Sequence, residues 1–174
     1  MKRFRSILGS NEDSLYQLQN STYNVTQKER QPELFSFLQR EVLFIGVHVV
    51  GGAQWNETEY DDRWNDHLLA SIEWVEEQML NQKGLYKLMV VFGNTRPSST
   101  NAAFFDKFRR LIRRHKIPSL YTFEGDRNKM QQRRDYYWTM EVKGNKFPFV
   151  IVTADTSYLH SPFNFGFDSS NLLK

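Results

Sequence analysis

Two continuous apolar runs punctuate the chain. Val42-Leu43-Phe44-Ile45-Gly46-Val47-His48-Val49-Val50 closes on Gly51-Gly52, and Tyr86-Lys87-Leu88-Met89-Val90-Val91-Phe92 closes on Gly93-Asn94, shortly before Pro97. β-Branched and aromatic residues without polar alternation, bounded by glycine, predict strands buried on both faces. Between them Trp64, Leu68, Ile72, Val75 and Met79 recur at three and four residues, and Leu69 widens the stripe. That period predicts a helix from about Tyr60 to Lys83, with Asp61 and Asp62 at its positive end and Gly84 as its stop. A second helix is predicted over residues 101–116. Phe104, Phe105, Phe108, Leu111 and Ile112 form its apolar face, opposite Lys107, Arg109, Arg110, Arg113, Arg114 and Lys116.

A third strand spans Pro118 to Glu124 and ends in Gly125-Asp126-Arg127-Asn128. The runs Tyr136–Val142 and Phe147–Ala154, joined through Lys143-Gly144-Asn145-Lys146, read as a β-hairpin. Residues 1–40 carry no sustained period and read as an irregular N-terminal arm, with a short helical turn at Pro32–Leu38. The predicted division is an arm at 1–40, an α/β domain at 41–155 and a Phe- and Ser-rich tail at 156–174. The order β-α-β-α-β followed by a hairpin predicts the α/β class with a mostly parallel sheet.

Composition narrows the picture. A chain of 174 residues is expected to form one core that buries about 70% of its unfolded surface. Aromatic residues make up 15% of the chain, fourteen of them Phe, which favours a sheet-rich core over a helical bundle. The formal net charge is only +3, a mild bias that argues against a dedicated nucleic-acid binder. The basic side of the second helix reads first as the solvated face of a helix lying on a sheet. With no Cys in the chain, disulfides, thiolate metal sites and Cys nucleophiles are excluded. No apolar run approaches the ~18 residues of a membrane span, and the basic start Met1-Lys2-Arg3-Phe4-Arg5 precedes a stretch too polar for a signal peptide. The expectation is a soluble chain, and nothing in the sequence assigns a compartment. The four histidines (His48, His67, His115 and His160) have no metal-ligand spacing. His48 reads as a core histidine hydrogen-bonded to a neighbour.

Three strand ends should lie along one sheet edge: Gly51-Gly52, Asn94, and Glu124 through Asn128. Ligands of open α/β sheets gather beyond such carboxyl ends. Val90-Val91-Phe92-Gly93-Asn94-Thr95-Arg96-Pro97 resembles the strand and loop of calcineurin-like metallophosphoesterases, where a Val-Val-x-x-His-x-Pro pattern presents a metal-binding His. Gly125-Asp126-Arg127-Asn128 is similar to the Gly-His-x-His segment that follows the family's next strand. The resemblance covers about residues 42 to 155 and implies half of that family's αββα sandwich.

It also implies three metal-ligand positions, at Asn94, Asp126 and Asn128, and each departs from the family's His. An Asn amide is a weak neutral donor, whereas Asp126 remains able to ligate a hard cation. The family's Asp-x-His, Gly-Asp-x-x-Asp and Gly-Asn-His-Asp motifs do not occur here. The resemblance therefore implies a degenerate, non-catalytic domain that acts as a structural or interaction subunit without a resident cofactor. A protein partner, an oligomer or the N-terminal arm would cover the sheet edge left where the missing strands would pair. The first alternative is a metal-dependent phosphoesterase fragment, with a divalent metal pair completed by another chain or segment and Asp126 as a ligand. The second is a basic nucleic-acid-binding module centred on the Arg-rich helix near Arg110.

Overall fold

The computed structural model describes residues 24–49, 59–134, 136–143 and 149–168. The chain forms strands β1 (Thr26–Lys28), β2 (Gln31–Gln39) and β3 (Val42–Gly46), then helix α1 (Glu59–Asn81) and strand β4 (Leu88–Phe92). A 3-10 turn (Ser99–Asn101) leads into helix α2 (Ala102–His115), followed by β5 (Ser119–Gly125), β6 (Lys129–Arg134), β7 (Tyr137–Lys143), β8 (Phe149–Ala154) and β9 (Phe163–Asp168). Seven strands make one sheet in the order β1-β2-β3-β4-β5-β7-β6, and β8 with β9 makes a separate two-stranded sheet. The adjacent pairs from β3 through β4 and β5 to β7 are parallel, while β1, β2 and β6 join antiparallel at the two sides. The class is mixed α/β, as the two Gly-bounded runs and the two periodic stripes predict. Among the described residues no helix is long and apolar enough to cross a membrane.

Register decides what each face carries, because residues paired across strands point to the same side. One side holds Leu43, Ile45, Met89, Val91, Tyr121 and Phe123. These pack with Leu68, Ile72 and Val75 of α1 and with Phe104, Phe105 and Phe108 of α2 in one buried cluster. The other side holds Val42, Leu88, Val90, Leu120, Trp138 and Met140 in a second cluster, onto which β9 places Phe163. The Trp138 and Phe163 rings meet edge-on, with centroids 5.4 Å apart. Farther toward β2 the same side carries a row of aromatic rings: Phe37 stacks on Phe44 at 4.7 Å, and Phe92 lies within 6.4 Å of both Phe35 and Phe44.

Four expectations change. Residues 31–39 are a strand, not part of an irregular arm or a helical turn. Leu34 and Ser36 point to the helix side, where the Ser36 hydroxyl donates to Gln78 Oε1 of α1 at 2.7 Å, while Phe35 and Phe37 cover the opposite side. Leu34 and Leu38 on the inner row and Phe35 and Phe37 on the outer put apolar residues on both faces, so no clean alternation marks the strand. The polar link after Asn128 is also a strand, β6, exposed enough along the margin of the sheet to tolerate its Gln and Arg residues. The closing hairpin forms between β8 and β9, and β7 pairs with β5 and β6 instead of with β8. The proposed turn at Gly144-Asn145 lies outside the described residues. Finally, the cover expected from a partner, an oligomer or the N-terminal arm is narrowed to the arm: its strand β2 pairs along the outer edge of β3 over Phe35–Gln39. The margin beyond is three-residue β1, a short edge ending in Lys28, which offers little length for strand addition.

Candidate functional site

All four parallel strands end on one edge, so residues 47–49 after β3, the loops after β4 and β5 and the end of β7 converge there, while Gly51-Gly52 lies outside the described residues. Asn94 lies exposed in the loop after β4, and Asp126 lies exposed in the loop after β5. Asn128 is half-buried, and its amide oxygen accepts the backbone N–H of Lys143 at 2.8 Å. That oxygen holds the end of β7 to the β5–β6 loop, as a structural cap does.

The loops themselves are well fixed. Tyr121, buried under α2, donates its hydroxyl to Thr95 O at 2.8 Å. Burial pushes the Tyr121 phenol far up from its ordinary value, so the group remains a donor. Gly93 sits against this bond, and a Cβ there would fall on the Tyr121 hydroxyl. Asn101, fully buried, donates to Arg96 O at 3.0 Å and accepts from Ser98 N at 2.8 Å. The loop that presents Asn94 and Arg96 is thereby tied at both ends.

The centre of the edge is Glu141, on the helix-side row of β7. Its carboxylate accepts Asp126 N–H at 3.0 Å and Arg127 Nε–H at 3.2 Å, with Arg96 Nη2 at 3.6 Å. Gly125 lets the strand pass this close, since a Cβ would strike the Glu141 side chain. The Glu141 side chain is only 7% exposed, whereas the arginines that cover it are 60% and 64% exposed. Burial acts against ionisation, but the hydrogen bonds from Arg127 and Asp126 and the two nearby guanidinium charges outweigh it. The carboxyl is held below its usual range. The screen of exposed arginines keeps the pairing modest in strength.

This donor set does not fit a metal pair. Glu141 is already shared between two cations, Asn128 spends its oxygen on the backbone, and Glu124 points to the opposite sheet side through its register with Val142. Among the described residues no group of three His, Asp or Glu side chains is placed to hold a metal ion. Asn94, Asp126 and Asn128 share an edge, but its buried carboxylate is committed to Arg96 and Arg127.

His48, just past β3, differs from the hydrogen-bonded core histidine expected of it. Its Nδ1 has no hydrogen-bond partner among the described residues, and Glu33 Oε1 lies 3.8 Å away. Its ring meets His67 edge-on at 6.1 Å. Desolvation depresses its pKa, partly opposed by the Glu33 carboxylate. Arg96, Glu141, Asn101 and Tyr121 were not singled out by sequence reading. Glu141 carried one available signal: an acid on the inward-pointing row of an otherwise apolar and aromatic strand demands a partner.

No family model, curated protein or solved structure matches this chain.

Proposed function

We propose that the chain is a non-catalytic domain of calcineurin-like phosphoesterase type, acting as a structural or interaction subunit. The observation that carries this reading is Glu141. At the edge where a phosphoesterase would concentrate imidazoles and carboxylates for its metals, the one buried carboxylate is engaged by Arg96, Arg127 and the Asp126 backbone. Two cations beside a would-be metal site oppose divalent binding by direct repulsion. Loops fixed by the Tyr121–Thr95, Asn101–Arg96 and Asn128–Lys143 hydrogen bonds leave a rigid platform, which suits a surface that is recognised by another component more than one that reorganises around a reacting group.

Elemental analysis of the purified chain, together with a phosphodiester hydrolysis assay and its mass in solution, tests the reading. The expected result is metal well below stoichiometric amounts and no turnover above buffer after manganese or zinc is added. A bound metal pair with turnover that Asp126→Ala abolishes would establish the fragment-enzyme alternative instead.

A further inference from the structure

Past β5, neither α1 nor α2 lies over the helix-bearing side of the sheet, and among the described residues no other helix does. The chain passes from β5 to β7 through strand β6, not through a third crossover helix. Tyr137 and Thr139 on β7, below Glu141 in the same row, therefore floor an open cleft. Its walls are Arg109 of α2 and Arg133 of β6, Pro97 closes one end, and its volume is about 300 Å³. A shallower continuation runs along α2 past Asp106, Arg110 and Arg113.

The floor contains an unmet donor. Tyr137 is 3% exposed, and its hydroxyl is buried without a hydrogen-bond partner among the described residues. Phe108 packs edge-on to its ring at 5.8 Å, which holds the ring in place. A buried hydroxyl left without a partner loses the hydrogen bonds it made to water in the unfolded chain. Burial pushes the Tyr137 phenol up from its ordinary value, against the smaller opposing pull of Arg109 and Arg133. The group thus stays protonated and lacks an acceptor.

The neighbours of that hydroxyl are donors too. Arg133 gives its Nε–H to Thr139 Oγ1 at 3.0 Å, which orients the guanidinium and leaves its terminal nitrogens without a partner among the described residues. Arg109 is steadied by Asp106, the one acid among the described residues that line the cleft and its continuation. A recessed phenol between two guanidinium groups calls for an acceptor-rich anion, and bidentate donors of this kind match phosphate oxygens. Two positive charges favour a dianion over a carboxylate. The recess favours a terminal phosphate, because a diester carries a substituent on either side of its two free oxygens.

We propose that this cleft binds the terminal phosphate of a small phosphomonoester. The site is separate from the strand-end edge and does not depend on the family reading. Its volume lies at the lower end for small-molecule pockets, enough for the phosphate and a short organic group against Pro97.

Calorimetric titration of the full chain at fixed ionic strength tests it, with inorganic phosphate, phenyl phosphate and dimethyl phosphate as probes. The expected result is saturable binding of the first two at millimolar concentration or below, and none of the diester. Tyr137→Phe keeps the buried ring and removes only the hydroxyl. It should fold at least as stably as the parent and weaken phosphate binding by about tenfold, and Arg133→Gln should weaken it by at least as much. Wild-type protein that gives no saturable phosphate signal would mean that water satisfies the hydroxyl, and it overturns the proposal. Binding unchanged in Tyr137→Phe overturns it as well. So does binding of single-stranded DNA that displaces phosphate, falls steeply with salt and disappears in Arg110→Gln/Arg113→Gln but not in Tyr137→Phe. That pattern would assign the charge to a polyelectrolyte surface.

Discussion

Under α1 and α2, the sheet side built by β3, β4 and β5 is dry: Leu43, Ile45, Met89, Val91 and Tyr121 are all 0% exposed. The same side continued onto β7 presents Tyr137, Thr139 and Glu141, flanked by Arg96, Arg109, Arg127 and Arg133. Both regions belong to one sheet with unbroken parallel register from β5 to β7. They differ in how the chain leaves each strand. A helical crossover lays an apolar stripe over the strand row it spans, so that row can be wholly apolar. A crossover made of strand adds width and leaves the row uncovered, so polar groups enter and must find partners among themselves or in a ligand. Among the described residues, the polar groups of this side gather on the strand row that neither α1 nor α2 covers.

Substitutions on the two sides of that boundary should differ in size and in character. Phe105→Ala, under α2 against Tyr121, should cost about 3–5 kcal/mol in urea unfolding, because it removes a fully buried ring from a packed layer. A cost below 1 kcal/mol would mean that the helix layer is loosely packed, and the contrast would fail. Gly93→Ala, at the rim of the dry region, should cost about 1–3 kcal/mol by forcing Tyr121 off its bond to Thr95. Near-ultraviolet circular dichroism should report the displaced tyrosine, and an unchanged spectrum with unchanged stability would show that the loop yields freely.

Glu141→Gln, in the uncovered region, should cost only about 1 kcal/mol near neutral pH, since its arginine partners are exposed. Its cost should also depend on pH. A carboxyl held below its ordinary value binds protons more weakly in the folded chain than in the unfolded one, so its contribution is full above the ordinary carboxylate range. It is lost as pH falls through the lowered folded value. Wild-type and Glu141→Gln unfolding free energies should therefore converge on acidification, and a gap that persists or widens below the carboxylate range would refute the assignment.

The parts legible in sequence are those with one apolar period and a clear stop. β4 stops just before Gly93 as expected, β3 starts at Val42 as expected but ends at Gly46 inside its apolar run, and α1 and α2 carry uninterrupted stripes whose bounds, Glu59–Asn81 and Ala102–His115, lie close to those predicted. β2 escaped because its inward row includes Ser36, satisfied by Gln78, while Phe35 and Phe37 occupy the other side. β6 escaped because an edge strand can be almost wholly polar. β9 left a signal in Phe163-Asn164-Phe165-Gly166-Phe167, an alternation of period two inside a stretch that composition alone marks as a tail. At the strand ends, sequence order placed Asn94, Asp126 and Asn128 on a common edge. It gave no hint that Glu141 joins Arg96 to Arg127, because those three residues come from three different segments and meet only through the register of β5 with β7. Tyr137 was likewise invisible as a donor in need, since its isolation follows from what does not cover it.

The strand order also says how the sheet can be assembled in time. From β1 through β5 every strand lies beside its predecessor in the chain, so each can add to an existing margin as synthesis proceeds, β1 to β3 through tight turns and β3 to β5 through helical crossovers. β7 breaks the sequence, because it must settle between β5 and β6. Until it emerges, β5 offers an open parallel margin and β6 has no partner. Residues 137–143 are thus the keystone segment: a chain truncated before them would hold the growing sheet in a half-finished, self-associating state, and their arrival both seals that margin and creates the floor of the cleft.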